Sequence, residues 1–477
     1  MNFKDLNIDK DILKALEIID YKRATKVQEK VIKELKNNKD LIVKSKTGSG
    51  KTAAFLIPIC ENMKIESKNP KALIITPTRE LCIQIQKEAN MIGRLKRLKT
   101  VALLGGRPLN IQINELKQRV HIICATPGRA LEHIRLNTLN LEDIEYLVID
   151  EADEMLSLGF MDQVKDIISK LKEQRRTMLF SATIEEELEE ICKEIMIDPI
   201  RIDIKDEVKK NNIEEVFYKI KEEEKIKALK NLIYTKKIKK AIIFCNRRDK
   251  VDEILRKLQR EELHILGLHG GMSQDLRTNN ILDFKKNLAH FLIATDVASR
   301  GIHVDDISHV INYDFPEDKE NYVHRIGRTG RYKSKGEALS FITTDDMQML
   351  NEVKESYDIK IKYENLPDKD RVKRAKKEFE RFLKTKPKMK RDISHKLNKD
   401  IMKIRINCGK NKKIRNIDIV GMLFNIKDIK KDDIGIIEVQ TTCSYVEIFN
   451  NKGDLVLRNL KNMKLKGKSF TFKKISK

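Results

Sequence analysis

The sequence predicts an α/β protein: two domains, each built on a parallel sheet, followed by a small α+β domain. Short apolar runs ending in polar or Gly-rich turns alternate with helix-length segments over residues 1–205 and again over 212–365. Parallel strands buried on both faces look like this. From about residue 401 the order becomes β-α-β-β-α-β in shorter pieces. The charge changes too: residues 368–477 hold 32 of the 97 Lys/Arg but 13 of the 73 Asp/Glu, so most of the net +24 lies at one end.

In the first domain the strands are read at Leu41-Ile42-Val43, Ala72-Leu73-Ile74-Ile75, Ile122-Ile123-Cys124, Leu147-Val148-Ile149 and Met178-Leu179-Phe180. In the second they are Ala241-Ile242-Ile243-Phe244, Phe291-Leu292-Ile293-Ala294, His309-Val310-Ile311-Asn312 and Ala338-Leu339-Ser340-Phe341. Residues 366–400 read as a basic, partly helical extension in which Pro387 limits any helix. Within 401–477, strands are expected at Ile404-Arg405-Ile406, Gly435 to Val439, Tyr445 to Ile448 and Ser469 to Phe472, with helices at Ile417 to Phe424 and Leu455 to Met463. That order resembles an RNA-recognition-motif (RRM-like) fold.

Composition narrows the function classes. No apolar run approaches the roughly 18 residues that span a bilayer, and Met1-Asn2-Phe3-Lys4-Asp5 has no apolar signal core. The seven cysteines are scattered with no Cys-x-x-Cys pair, so disulfide or zinc frameworks are not expected and a reducing cytoplasm is. A basic excess confined to one end fits a polyphosphate partner better than a general lysine-rich surface does.

Ser45-Lys46-Thr47-Gly48-Ser49-Gly50-Lys51-Thr52 follows one strand and precedes an apolar helix. This is a P-loop in its expected setting, where glycines let backbone N–H groups converge on phosphate oxygens and the helix N-terminus adds its dipole. Lys51 is expected on the β/γ-phosphates and Thr52 on Mg²⁺. Asp150-Glu151-Ala152-Asp153 ends another strand, so Asp150 is expected to hold Mg²⁺ and Glu151 to orient or deprotonate the attacking water. An acidic cluster can also cap the next helix, but beside a P-loop the catalytic reading is the better one. In His324-Arg325-Ile326-Gly327-Arg328-Thr329-Gly330-Arg331, arginines three apart can reach one phosphate together, or serve structural salt bridges.

The residues at 150–153 spell the name of the DEAD-box helicases, and this chain resembles that family in nearly every motif. The resemblance implies two RecA-like domains, ATP and Mg²⁺ as cofactors, and RNA as substrate. Gln28 in Thr25-Lys26-Val27-Gln28 matches the adenine-reading position and Phe3 the isolated upstream aromatic. Pro77-Thr78-Arg79, Gly105-Gly106 and Thr126-Pro127-Gly128-Arg129 match motifs that hold the RNA backbone. Ser181-Ala182-Thr183 matches the motif coupling ATP state to strand separation. In the second domain Arg277 and Thr295 match RNA-contacting positions, and Arg328 and Arg331 the arginine fingers. The family usually has Pro at Ala24, Gln at Lys46 and Asp at His303; the last replacement removes a carboxylate expected near the ribose. Ile414 to Gly421, Asp432 to Gly435 and Ser444 to Ile448 resemble the C-terminal domain of the bacterial DbpA/YxiN group, with Asn416 in place of a common Pro. That group implies 23S ribosomal RNA in precursor large subunits as target; the sequence does not give the oligomeric state, and a monomer is expected. Lys410, Lys412, Lys413 and Arg415 suit phosphate contacts there. Without aromatic-rich strands, the domain's specificity is expected in loops and edges rather than on the sheet face. The competing readings are a general messenger-RNA remodeller, an ATP-gated RNA clamp that hardly unwinds and, least favoured, a DNA helicase.

Overall fold

A computed structural model describes residues 1–46, 48–204, 213–296, 304, 307–330, 335–357, 359–387, 389, 394–461 and 463–475. The chain divides into two compact units, one comprising Met1–Ile204 with Ile393–Lys477, the other Lys205–Asp392. Among the described residues no helix is long and apolar enough to cross a membrane.

The first unit carries a seven-stranded parallel sheet ordered β3-β4-β2-β5-β6-β1-β7. Its strands are β1 (Leu41–Lys44), β2 (Ala72–Ile75), β3 (Thr100–Leu103), β4 (Ile122–Ala125), β5 (Tyr146–Asp150), β6 (Arg176–Ser181) and β7 (Ile200–Asp203). Five match the apolar runs. The sheet's edge strands β3 and β7 were not expected. Helices cover both faces, so Ile42, Leu73 and Leu147 pack in one core cluster while Leu41, Ile74 and Val148 pack in the other.

The second unit has the same architecture in the order β10-β11-β9-β12-β13-β8-β14. Its strands are β8 (Ile213–Lys219), β9 (Ala241–Phe244), β10 (Ile265–Leu268), β11 (Phe291–Ala294), β12 (His309–Asn312), β13 (Gly336–Ile342) and β14 (Lys362–Tyr363). β8 was not expected, because Glu214 and Glu215 break its apolar run, and neither were the edge strands β10 and β14. The helix Lys369–Lys384 belongs here: Asp368 caps it, and Phe379 and Leu383 bury themselves in the core beside Leu229 and Leu232.

Within the first unit, the C-terminal module is a four-stranded antiparallel sheet ordered β16-β17-β15-β18 with two helices. Its strands are β15 (Met402–Ile406), β16 (Ile434–Val439), β17 (Ser444–Ile448) and β18 (Phe472–Lys474). Ile404, Ile406, Val446 and Ile448 point to its own core, so Lys403, Arg405, Tyr445 and Glu447 alternate onto the opposite face. That face packs on the first domain. Arg94 clasps Glu447 through two hydrogen bonds of 2.7 and 3.1 Å, Lys99 meets Glu438 at 2.6 Å, and Arg94 and Arg97 lie over the Phe449 ring. Gln118 closes the contact, accepting from Val439 N–H and donating to Val439 C=O.

Candidate functional site

The first unit assembles its candidate site at the C-terminal ends of β1, β5 and β6. The P-loop leaves β1 and turns into the helix Lys51–Asn62. Gly50 sits at φ +91°, which favours glycine, and a Cβ there would lie 2.5 Å from the Gln28 Nε2 and displace that amide. Gln28 Nε2 donates to Gly50 C=O at 3.1 Å, and its Oε1 accepts from Thr25 N–H at 2.9 Å. One amide N–H and one lone pair remain to read a base edge. Lys51 is buried and donates to Ser45 C=O at 3.1 Å, folding its ammonium back over the loop. Ser45 and Ser49 hydroxyls pair at 3.1 Å. Thr52 follows on the first helical turn, and Phe3 is buried on a short turn packed against the helix Lys26–Glu34. Lys46 is exposed; Thr47 lies outside the described residues.

Asp150 ends β5, buried. Burial pushes its carboxyl up to about 7, while the Lys51 charge pulls the other way. Glu151, also buried, holds φ +55°, in the left-handed region that non-glycine residues adopt infrequently. Sequence reasoning gave Asp153 no role, and the structure does. Its Oδ2 accepts from Ala182 N–H, Thr183 N–H and the Thr183 hydroxyl at 2.9–3.2 Å. Ser181 Oγ takes the Asp153 N–H, and Ser181 C=O accepts from Ser45 N–H at 2.9 Å. The Ser181–Thr183 segment is thereby tied at once to the P-loop and to the acidic strand end.

The residues matched to RNA contacts also converge. Thr78 caps the helix Arg79–Ile92, and the Arg79 guanidinium lies across Gly105 and Gly106, where a Cβ on Gly106 would approach it to 2.5 Å. Pro77 precedes the cap. Gln112, buried, holds this loop by accepting from Leu104 N–H and donating to Leu104 and Arg107 C=O. Arg129 reaches Arg107 C=O at 3.1 Å from the helix that Thr126 opens. Neither Gln112 nor Arg107 was singled out from sequence, since an isolated polar residue, on a helix as Gln112 is or in a bend as Arg107 is, carries no signal of its own.

In the second unit, Arg277 stands on the first turn of the helix Gln274–Lys285, which Ser273 caps. Thr295 follows β11, its N–H on Leu268 C=O. Arg325, not Arg328, is the hub. It is 1% exposed, takes Asp296 through two 2.6 Å bonds, and donates to Asn246 and to Asp314 C=O. Arg328, just past the end of the same helix, is buried as well. Arg331, His303 and residues 297–301 lie outside the described residues. In the C-terminal module Lys410, Lys412, Lys413 and Arg415 are all exposed on one turn.

Residues 25–191 match the DEAD/DEAH box helicase family, 224–333 the helicase conserved C-terminal domain, and 403–474 the DbpA RNA binding domain. The chain is similar over its whole length to the ATP-dependent RNA helicase DbpA of Bacillus subtilis, with 45% identity over 482 residues covering all of both chains. It is 39% identical to the ATP-dependent RNA helicase CshA of Limosilactobacillus reuteri over 74% of this chain and 71% of that one. Among solved structures, S. cerevisiae Dbp5 bound to RNA and ADP BeF3 superposes with a TM-score of 0.71 at 29% identity, covering 79% of this chain and 99% of the other.

Proposed function

This chain belongs to the DEAD-box ATP-dependent RNA helicases of the DbpA type, and from that premise we propose how its residues divide the work. The carrying observation is the Asp153 clamp, which joins the phosphate end of the site to Ser181 and Thr183. Lys51 and the P-loop amides hold the β/γ-phosphates, Gln28 reads the adenine edge, and Phe3 backs the helix that carries Gln28. Glu151 orients the attacking water and takes its proton. Thr52 and Asp150 fit a magnesium ion: both are hard oxygen donors, and the buried Asp150 carboxyl is one that a divalent cation would keep ionised. Such an ion, when bound, neutralises charge developing on the transferred phosphoryl group.

Arg79, the Gly105-Gly106 turn, Thr126 and Arg129 hold a single strand through its backbone, with Arg277 and Thr295 doing so in the second unit. ATP and RNA together bring the units to a closed state that a paired strand does not fit, and Arg328 and Arg331 complete phosphate stabilisation there. Such fingers are worth roughly 10³–10⁵ in rate. The DbpA-type module directs this local unwinding to 23S ribosomal RNA in precursor large subunits, and the enzyme works as a cytoplasmic monomer.

In a purified preparation, Lys51→Ala should abolish RNA-stimulated ATP hydrolysis. Glu151→Gln should abolish it too while retaining nucleotide binding; normal turnover by Glu151→Gln would remove its assigned role. Deleting residues 401–477 should leave generic RNA-stimulated hydrolysis but erase the preference for 23S fragments over unrelated RNA of equal length. An unchanged ratio between the two RNAs would defeat the ribosomal assignment.

A further inference from the structure

In an RNA-recognition-motif fold the exposed sheet face is where bases stack. Here Glu438 and Glu447 on that face are taken by Lys99 and Arg94 of the first domain. That face is thereby occupied by the first domain. At the edge of the sheet a groove of about 670 Å³ runs between residues 117–119, just before β4, and the turns of the C-terminal module. Six cations line it: Lys117, Arg119, Lys410, Lys413, Arg415 and Lys466. All six are exposed. Asp418 offsets two of them, at 3.0 Å from Lys466 and 3.7 Å from Arg415, and Glu66, already paired with Lys431, feels Arg119. Lys117, Lys410 and Lys413 have no ion pair among the described residues.

The groove is built rather than incidental. Gln118, between Lys117 and Arg119, grips both backbone groups of Val439 at the end of β16. Lys466 Nζ donates to Lys413 C=O at 2.6 Å, and Lys410 N–H to Gln440 C=O at 2.8 Å. A Cβ on Gly409 would lie 2.2 Å from Gln440 O, so this turn lies tight against β16. The lining contains no aromatic side chain, which favours phosphates over stacked bases. Six cations lining a groove of about 670 Å³ match several phosphates better than one small anion.

We propose that this groove holds the sugar–phosphate backbone of structured RNA, and that Lys117 and Arg119 of the first helicase domain complete a surface of which the C-terminal module supplies only part. The inference rests on the RNA-helicase reading above. It means that the anchoring and the unwinding parts of the protein grip one RNA in a fixed register.

The test is equilibrium binding of the full chain, without nucleotide, to a labelled hairpin RNA across a potassium chloride series. Lys117→Ala/Arg119→Ala should weaken binding several-fold at low salt and reduce the slope of log affinity against log salt by roughly 1–2. Lys170→Ala/Lys172→Ala, which removes the same charge from the loop before β6, should leave the slope as in the wild type. An unchanged slope in the first variant, or an equal loss in the second, overturns the groove. So does inorganic polyphosphate that binds as tightly as the hairpin and loses as much on substitution. RNA-stimulated ATP hydrolysis by the wild type, measured alongside, reports on the helicase reading separately, because a groove can fail while that activity stands.

Discussion

Arg325 and Arg328 are identical side chains about one helical turn apart, and the roles proposed for them differ. Arg325 sits among Asp296, Asn246 and the Asp314 carbonyl with almost no exposure. Removing one partner of a buried, hydrogen-bonded pair leaves an uncompensated charge and costs about 3–5 kcal/mol. Arg325→Ala should therefore lower the melting temperature of the second unit sharply. Arg328→Ala should cost less in melting temperature than Arg325→Ala yet lose orders of magnitude in RNA-stimulated turnover. Thermal melting and ATP hydrolysis on the same preparations separate the two, and the reverse pattern would exchange their roles. The motif itself was legible in sequence. Which arginine is structural was not, because Asp296, Asn246 and Asp314 are brought to Arg325 only by the strand order. Asp153 has no role legible in sequence for the same kind of reason: Asp150 and Glu151 account for the acidic run, and the partners of Asp153 lie about 30 residues away in sequence.

At the scale of elements, the strands that sequence revealed are those buried on both faces, such as β2 and β11 with every residue buried. Those it hid lie mostly at sheet edges or carry charges on a half-exposed face, as Arg201 does on β7 and Glu214 on β8. Apolar runs report double-sided burial, so edges fade from view. The β3–β4 edge also carries a pH-sensitive element. His121 Nδ1 accepts from Lys99 N–H at 3.0 Å, which leaves the proton on Nε2, facing Ile65 C=O at 3.2 Å. Burial holds its pKa below the ordinary 6.5. The unfolded chain therefore binds this proton first as pH falls, and stability drops below about pH 6.5. Hydrogen-exchange protection factors at β3 and β4, corrected for the intrinsic rate at each pH, should fall between about pH 7 and pH 5.5, and His121→Gln should flatten that fall. Asp40 and Asp150, whose carboxyls burial raises, titrate in the opposite sense, so the comparison with His121→Gln is the one that isolates the histidine. An equal pH response in both proteins would remove His121 from the account.

For the whole molecule, the contact between the C-terminal sheet and the first domain is polar and complementary: acids of a basic module meet bases of the core. A charge swap tests it. Arg94→Glu and Glu447→Arg should each destabilise the first unit, and the double swap should recover part of the loss, giving a coupling of roughly 0.5–3 kcal/mol. Strict additivity in thermal melting would mean the pair contributes nothing. The RRM-like order of this module was readable from local pattern, but its seat was not, since partners 339 and 353 residues apart leave no periodic trace. That separation has a temporal side. At roughly 5–20 residues per second of synthesis, the partners of Lys99 and Arg94 emerge about 20–70 s after them. Through that interval the nascent first domain carries Arg94, Arg97 and Lys99 uncovered, a cationic stripe held beside the ribosome that is making it. A chain stalled before residue 438 would keep that stripe bare for good.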